Sequence, residues 1–208
     1  DRAMYFRRLR GDAVETSDHI LGQHRFTNVY RASDRVSQYL IREVIPGCNS
    51  DPNETVFRVL LFKIFNRIGT WERLTSELGP PSLQTYNVER YAAVLDAMMG
   101  HGERVYSSAY IMPSPPFGHA RKHTNHLRLL ETMIKDSLGR RLGKVPSLRS
   151  AYETLLSYPS LGPFLAFQFA IDLNYSPLTN FDEAEFVVAG PGACDGIRKC
   201  FVSLEAVS

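Results

Sequence analysis

The sequence predicts an all-α chain, and three observations carry that prediction. Apolar residues recur at helical spacing: Val29, Val36, Leu40 and Val44 share one face, with Tyr39 beside them. Residues 54–68 are apolar almost all round, through Val56, Phe57, Leu60, Leu61, Ile64, Phe65 and Ile68, which is the pattern of a central buried helix. Strand-like character is confined to Phe186, Val187 and Val188, so no sheet is expected.

In chain order, residues 1–25 form a polar N-terminal extension and residues 26–208 one domain. Residues 26–45 predict the first helix, stopped by Pro46 and Gly47. Arg31, Asp34, Arg35 and Gln38 fall together on a second face of it. Residues 49–53 predict a turn, and the buried helix 54–68 follows, with Lys63, Asn66 and Arg67 as its polar exceptions. Residues 71–78 form a short helix closed by Gly79, Pro80 and Pro81, and residues 87–99 another, ended by Gly100 and Gly102. Residues 106–112 lead into a loop holding Pro113, Pro115, Pro116 and Gly118. Residues 124–138 are helical, with His126, Leu127, Leu129, Leu130, Met133 and Ile134 setting the apolar face. Residues 148–158, a tight turn over 159–163 and an apolar helix over 164–173 complete a helical hairpin at about 155–173. Gly162 is expected to take a positive φ and so permit that turn. The first amides of the following helix point outward, which makes an anion site.

With 44% apolar and 22% charged residues in a chain of 208, the composition is that of a globular protein able to bury a core. No apolar run approaches the roughly 18 residues of a membrane span, so no membrane partner is expected. Residues 1–10 are basic and polar rather than a secretory leader, so the cytoplasm is the expected location. The lack of an initial Met and the abrupt end at Ser208 point to a partial chain. Cys48, Cys194 and Cys200 form no Cys-x-x-Cys pair, which fits a reducing compartment without zinc or disulfides. His119, His123 and His126 have a spacing that could reach a metal. Set among Arg121, Lys122 and Arg128, they read instead as a solvated basic face, and neither metal nor cofactor is expected.

Net charge is only +2, but the arginines are bunched: Arg2, Arg7, Arg8 and Arg10; Arg121 to Arg128; and Arg140, Arg141 and Arg149 with Lys144. Positive charge gathered on one face suffices for DNA binding, although such runs are also ordinary solvated surface. The last two runs lead into the hairpin.

The twentieth residue after Gly162 is Asp182. A turn containing Leu161 and Gly162, an apolar helix and an acid at that distance resemble the helix-hairpin-helix of the base-excision DNA glycosylases. Their pattern runs Leu-Pro-Gly-(Val/Ile)-Gly, with a catalytic Asp at this spacing. This sequence departs from it: Ser160 replaces the first Gly, and Pro163 has no N–H to offer a phosphate. Phe164 stands where glycosylases with lyase activity carry a Schiff-base Lys, so no strand cleavage by β-elimination is expected. An ordinary helical turn with an acid beyond it by chance is the plain alternative.

A closer resemblance covers nearly the whole chain. The residues Phe26, Asn28, Val29, Tyr30, Arg31, Asp34 and Arg35, the run from Phe62 to Arg67, and Gly190-Pro191-Gly192-Ala193 with Gly196 to Lys199 resemble the α-glutamyl/putrescinyl thymine pyrophosphorylase family. Phage amino acid:DNA transferases and the helical domain attached to 5-hydroxymethyluracil DNA kinases are among its relatives. The resemblance implies a two-lobed helix-hairpin-helix glycosylase-like fold, descent from those glycosylases, and action on hypermodified pyrimidines in DNA.

Three functions are then expected, in this order. The first is a monofunctional glycosylase that flips and excises a hydroxymethyl-derived pyrimidine, in defence against phages whose DNA carries it. The second is a pyrophosphorylase or amino acid:DNA transferase that replaces pyrophosphate on such a base with an amine. The third is a non-catalytic DNA-binding module, favoured if Asp182 points to solvent. The partner is double-stranded DNA with a modified base, bound by a monomer. Asp182 would stabilise the sugar cation and help activate water, with Glu183 and Glu185 as nearby alternates. Asn28, Arg31, Asp34, Arg35, Asn66 and Glu185 would bind the substituted base. Leu161, Gly162, Phe164, Ala166, Gly190 and Gly192 would meet DNA phosphates. Residues 139–144 fall one residue short of a Walker loop, and Val145 replaces its Ser or Thr, which disfavours a kinase for this chain.

Overall fold

The structure, a computed structural model, describes residues 10–11, 17–23, 30–48, 50–109 and 111–201. The regular elements among them are all helical, as expected. Phe186, Val187 and Val188 run as irregular chain, since among the described residues no second strand offers a ladder. Contacts divide the chain into two compact units, residues 1–38 and 39–208.

The first unit holds α1 (His19–Gln23), a 3-10 turn (Arg31–Ser33) and most of α2 (Arg35–Tyr39). The single helix expected over residues 26–45 is not formed across the described part. Asp34 interrupts it with extended backbone. Its Oδ1 accepts the amides of Val36 at 2.8 Å and Ser37 at 3.3 Å, so it starts a new helix as an N-cap. The carboxylate expected to orient an arginine is therefore held by backbone, and the Ser37 hydroxyl donates to its other oxygen. The Gln38 side chain turns back to the Ala32 carbonyl.

In the second unit a π-helical turn (Leu40–Val44) and a 3-10 turn (Ile45–Gly47) lead to α3 (Pro52–Phe65). Asp51 caps α3 by accepting the Asn53 amide at 3.0 Å, and Pro52 sits at the first position, where no N–H is needed. Every residue from Asn53 to Phe65 is buried. Around α3 pack the π-helical turn, α4 (Ile68–Leu78), α6 (Lys122–Lys135), α7 (Leu138–Leu142) and α9 (Pro163–Asn174). The helix ends three residues before the expected Ile68. Asn66 follows it in the left-handed conformation at φ 49°, which Asn tolerates better than most residues, so Asn66 is a C-terminal cap rather than part of the helix.

Burying the whole circumference of α3 buries its charges as well, and each is answered. Glu54 Oε2 accepts the Leu83 amide at 2.9 Å. Arg58 donates to the Val44 carbonyl through Nε at 3.1 Å and to the Pro81 carbonyl at 2.6 Å. Lys63 Nζ lies 3.4 Å from Asp172 Oδ2 on α9, the two side chains 3% and 0% exposed. These bonds tie the π-helical turn, the 81–83 connection and α9 to the central helix.

The remaining helices are α5 (Val88–Gly100), which packs on α4 and α6, α8 (Leu148–Leu156), which packs on α9, and α10 (Pro191–Cys200). The histidine expectation is corrected. His119 is exposed, but His123 and His126 are 1% and 0% exposed, because Tyr106 and the 113–118 loop cover that end of α6. Among the described residues no group of His, Cys, Asp and Glu could hold a metal, and no helix is long and apolar enough to cross a membrane.

Candidate nucleic-acid interface

The hairpin forms where the spacing predicts it. Ser147 starts α8 by accepting the Ser150 amide at 3.2 Å. After Leu156 the chain turns through residues 157–162 and enters α9 with Gly162 as N-cap and Pro163 first in the helix. The residue that makes the turn is not the one expected. Gly162 is extended at φ −73°, and Ser160 takes the left-handed step at φ 63°. The strain thus falls where the glycosylase pattern carries its first Gly, at a cost of about 1–2 kcal/mol for a residue with a Cβ. The Ser160 hydroxyl donates to the Ser114 carbonyl at 3.3 Å, and Leu161 is buried in the core, which together hold the conformation.

At the start of α9 Pro163 offers no amide, and the Ala166 amide already bonds the Gly162 carbonyl at 3.0 Å. Ala166 itself is fully buried. A phosphate here would meet at most the amides of Phe164 and Leu165. The Phe164 ring lies against Gly190, where a Cβ would come within 3.1 Å of it. Gly190 is the N-cap of α10 and Pro191 its first residue, so two helix starts with the same Gly-Pro opening meet at this ring. Gly192 faces open space.

Asp182 lies between two anchors. On one side the Asn174 side chain clasps Phe181, accepting its amide and donating to its carbonyl, both at 2.9 Å. On the other, Phe186 packs against Tyr152 and Phe167 at centroid distances of 5.2 and 5.9 Å, with the Arg149 guanidinium 4.7 Å over its ring. Asp182 is exposed, and its carboxylate accepts the Ala184 amide at 2.8 Å to close a turn. Glu183 and Glu185 are also exposed, so neither turns inward as alternation allowed.

The basic runs differ in what they touch. Arg121 lies 3.2 Å from Asp96, Arg128 pairs with Glu89 and Glu131, and Lys135 is 3.3 Å from Glu131. Arg141 instead donates to the Tyr158 hydroxyl at 3.1 Å, and Arg149 stacks on Phe186. Arg140 and Lys144 are exposed, and among the described residues none of these four meets a carboxylate. Arg2, Arg7 and Arg8 lie outside the described residues.

A neutral histidine fixes the loop that supports the turn. His126 Nε2 is 2.9 Å from the Pro113 carbonyl, which can only accept, so Nε2 carries the proton. Its Nδ1 then accepts the Tyr106 hydroxyl at 2.7 Å. Burial pushes His126 down to about 4 and Tyr106 well above the usual tyrosine range. Asn125 brackets the backbone of His119 and reaches the Ser114 hydroxyl at 3.1 Å. Ser114 is the residue whose carbonyl receives Ser160.

Of the other candidate residues, Asn28 lies outside the described residues, and Arg31, Asp34 and Arg35 belong to the first unit. Asn66 is 7% exposed, and its Oδ1 makes no hydrogen bond among the described residues. Asp172 was missed, although one acid in an otherwise apolar helix was a visible signal. Residues 139–144 are no phosphate loop. Most of that run is α7, and a Cβ on Gly139 would stand 2.2 Å from the Pro52 carbonyl oxygen, so this glycine serves close packing on α3.

The family model described as 5-hmdU DNA kinase, helical domain, matches residues 2–207. The chain belongs to this family. Its name is that of enzymes that modify DNA at a hydroxymethyluracil nucleoside, so DNA and a modified pyrimidine are the family's setting. No curated protein and no solved structure matches the chain.

Proposed function

We propose that this chain grips DNA carrying 5-hydroxymethyluracil through the α8–α9 hairpin and takes part in group transfer at the 5-hydroxymethyl position, leaving the sugar–base bond intact. The family match over residues 2–207 carries this reading, because the family is named for a reaction that modifies that nucleoside. It favours the transferase alternative over excision, which the Gly162-to-Asp182 spacing had put first. The setting of Asp182 supports the same preference. A carboxylate that stabilises a sugar cation works best from a dry site, and this one stands in solvent closing a turn. Residues 139–144 offer no phosphate cradle, so the phosphoryl donor of a kinase would be held elsewhere. Displacement of pyrophosphate by an amine asks no nucleotide loop of this chain.

DNA would be held by Arg140, Arg141, Lys144 and Arg149 beside the start of α9. Such contacts release counterions, so affinity falls steeply with salt. The exposure of Asp182 also favours a second reading, a binding module that presents the base to a separate catalyst. One assay separates the outcomes. Duplexes carrying 5-hydroxymethyluracil or its pyrophosphorylated derivative are incubated with the protein and an amine, and the digested nucleosides are weighed by mass spectrometry. The pyrophosphorylated duplex is expected to give an intact nucleoside of altered mass with pyrophosphate released, and the plain 5-hydroxymethyluracil duplex, which holds no such leaving group, to stay unchanged. Free base and an alkali-labile strand would return the reading to excision, and tight binding without chemistry would leave the binding module.

A further inference from the structure

We propose a second ligand site, at the start of α6, that takes a nucleoside 5′-monophosphate, free or as the phosphorylated end of a strand. A cavity of about 470 Å³ opens where the first turn of α6 faces residues 99–106. That is within the size range of small-ligand pockets and more than a bare phosphate needs. The proposal does not depend on the function proposed above.

The first turn of α6 is charged the wrong way for a helix left to itself. A helix start is a positive pole, stabilised by an acid or a capping side chain. Here the first turn has no acidic residue, the N-cap is Arg121 with no side-chain cap bond, and Lys122 and His123 follow. Among the described residues the amides of Lys122 and His123 make no backbone hydrogen bond. Arg104, on the facing wall, has no carboxylate partner among the described residues. Asp96 offsets part of this charge through Arg121 at 3.2 Å. It also lies 3.3 Å from Nε2 of His123, a residue of the cavity wall whose buried Nε2 makes no hydrogen bond among the described residues. Glu103 is the one carboxylate lining the cavity.

An anion seated on these amides would remove the conflict. The Lys122 ammonium, 4.8 Å over the Tyr106 ring and held below the usual lysine range by burial, is placed to meet it. Val105 and the half-exposed Met99 give the same cavity an apolar wall, against which a sugar and base would rest. This combination of cationic end and apolar wall selects a nucleotide over free phosphate.

The test is amide NMR of the whole chain titrated with thymidine 5′-monophosphate, thymidine, inorganic phosphate, and a thymidine tetranucleotide with and without a 5′-phosphate. Saturable shifts at the amides of Lys122 and His123 are expected with the monophosphate, none with thymidine, and at least tenfold weaker binding with inorganic phosphate. If only the phosphorylated tetranucleotide shifts them, the ligand is a strand end and the proposal stands. Lys122→Glu should weaken binding at least tenfold while raising the melting temperature of the free protein, because an acid suits a helix start. Arg104→Gln should weaken binding severalfold in a protein of unchanged stability. Equal shifts from thymidine, equal affinity for inorganic phosphate, unchanged affinity in both variants, or no shift from any phosphorylated probe would overturn the assignment. No probe carries hydroxymethyluracil, so these results leave the hydroxymethyluracil reading untouched.

Discussion

Two aspartates, one in α9 and one in the connection that follows it, had opposite fates. Asp182 has the spacing of a catalytic acid, yet it is exposed and closes a turn. Asp172, unremarked in the sequence, is fully buried in α9 and answers Lys63 on the central helix. Spacing along a chain measures only how far an acid is from a motif. Whether its charge is felt depends on what surrounds it, and the same carboxylate acts far more strongly in a dry interior than in water.

The largest effect should come from the buried member. Asp172→Ala removes the buried carboxylate that faces the Lys63 ammonium and is expected to cost about 3–5 kcal/mol in urea unfolding. A loss under about 1 kcal/mol would mean that the pair is already hydrated, and the contrast with Asp182 would collapse.

Next in size is a pH effect from the same interior. His126 is held down to about 4 in the folded protein, below its unfolded value of about 6.5. Below pH 6.5 the unfolded chain binds a proton that the folded one refuses, so stability falls as pH drops from about 6.5 to 4. The loss reaches roughly 3 kcal/mol at the lower end. His123, also shifted down by burial, adds in the same direction. His126→Gln should flatten the unfolding free energy across this window, and an unchanged slope would mean that other groups set it.

On the exposed side the expected effects are on binding. Removing Arg140 and Lys144 together should weaken duplex binding and lower the salt slope by about 2, at roughly one per phosphate contact. Arg128→Ala, with its guanidinium committed to Glu89 and Glu131, should leave that slope nearly unchanged. Equal losses from both would show that pairing to carboxylates does not sort the two runs.

The smallest expected effect is the one that most sharpens the comparison. Asp182→Asn should change stability by less than about 0.5 kcal/mol, since the amide oxygen can still accept the Ala184 N–H. It should also leave DNA binding within about twofold. Loss of base chemistry in that variant, with binding intact, would restore Asp182 to a catalytic role.

The helical class, the central helix and the hairpin were legible because each rests on local periodicity or on a turn that few residues can make. The family setting was legible in short motifs, notably the run from Phe62 to Arg67 and the Gly190-Pro191-Gly192 opening of the last helix. Local signals misled where one side chain changed the path. Asp34 capped a new helix and broke residues 26–45, and Asn66 ended α3 early. Ser160 took the left-handed step that a rule based on glycine assigned to Gly162.

What the sequence by itself determined is the helical class and the apolar faces of the longer helices, since a period of 3.6 residues needs no distant partner to be seen. Only the tertiary structure decided which charges are free to act. It paired Lys63 with Asp172 across the core, tied the arginines near Asp96 and Glu89 to carboxylates, and left those beside the hairpin without a carboxylate partner among the described residues. It also buried His126 neutral beneath the 113–118 loop and set Gly190 against Phe164. These contacts join residues far apart in the chain, and burial and charge pairing are properties of the packed whole rather than of any stretch of it.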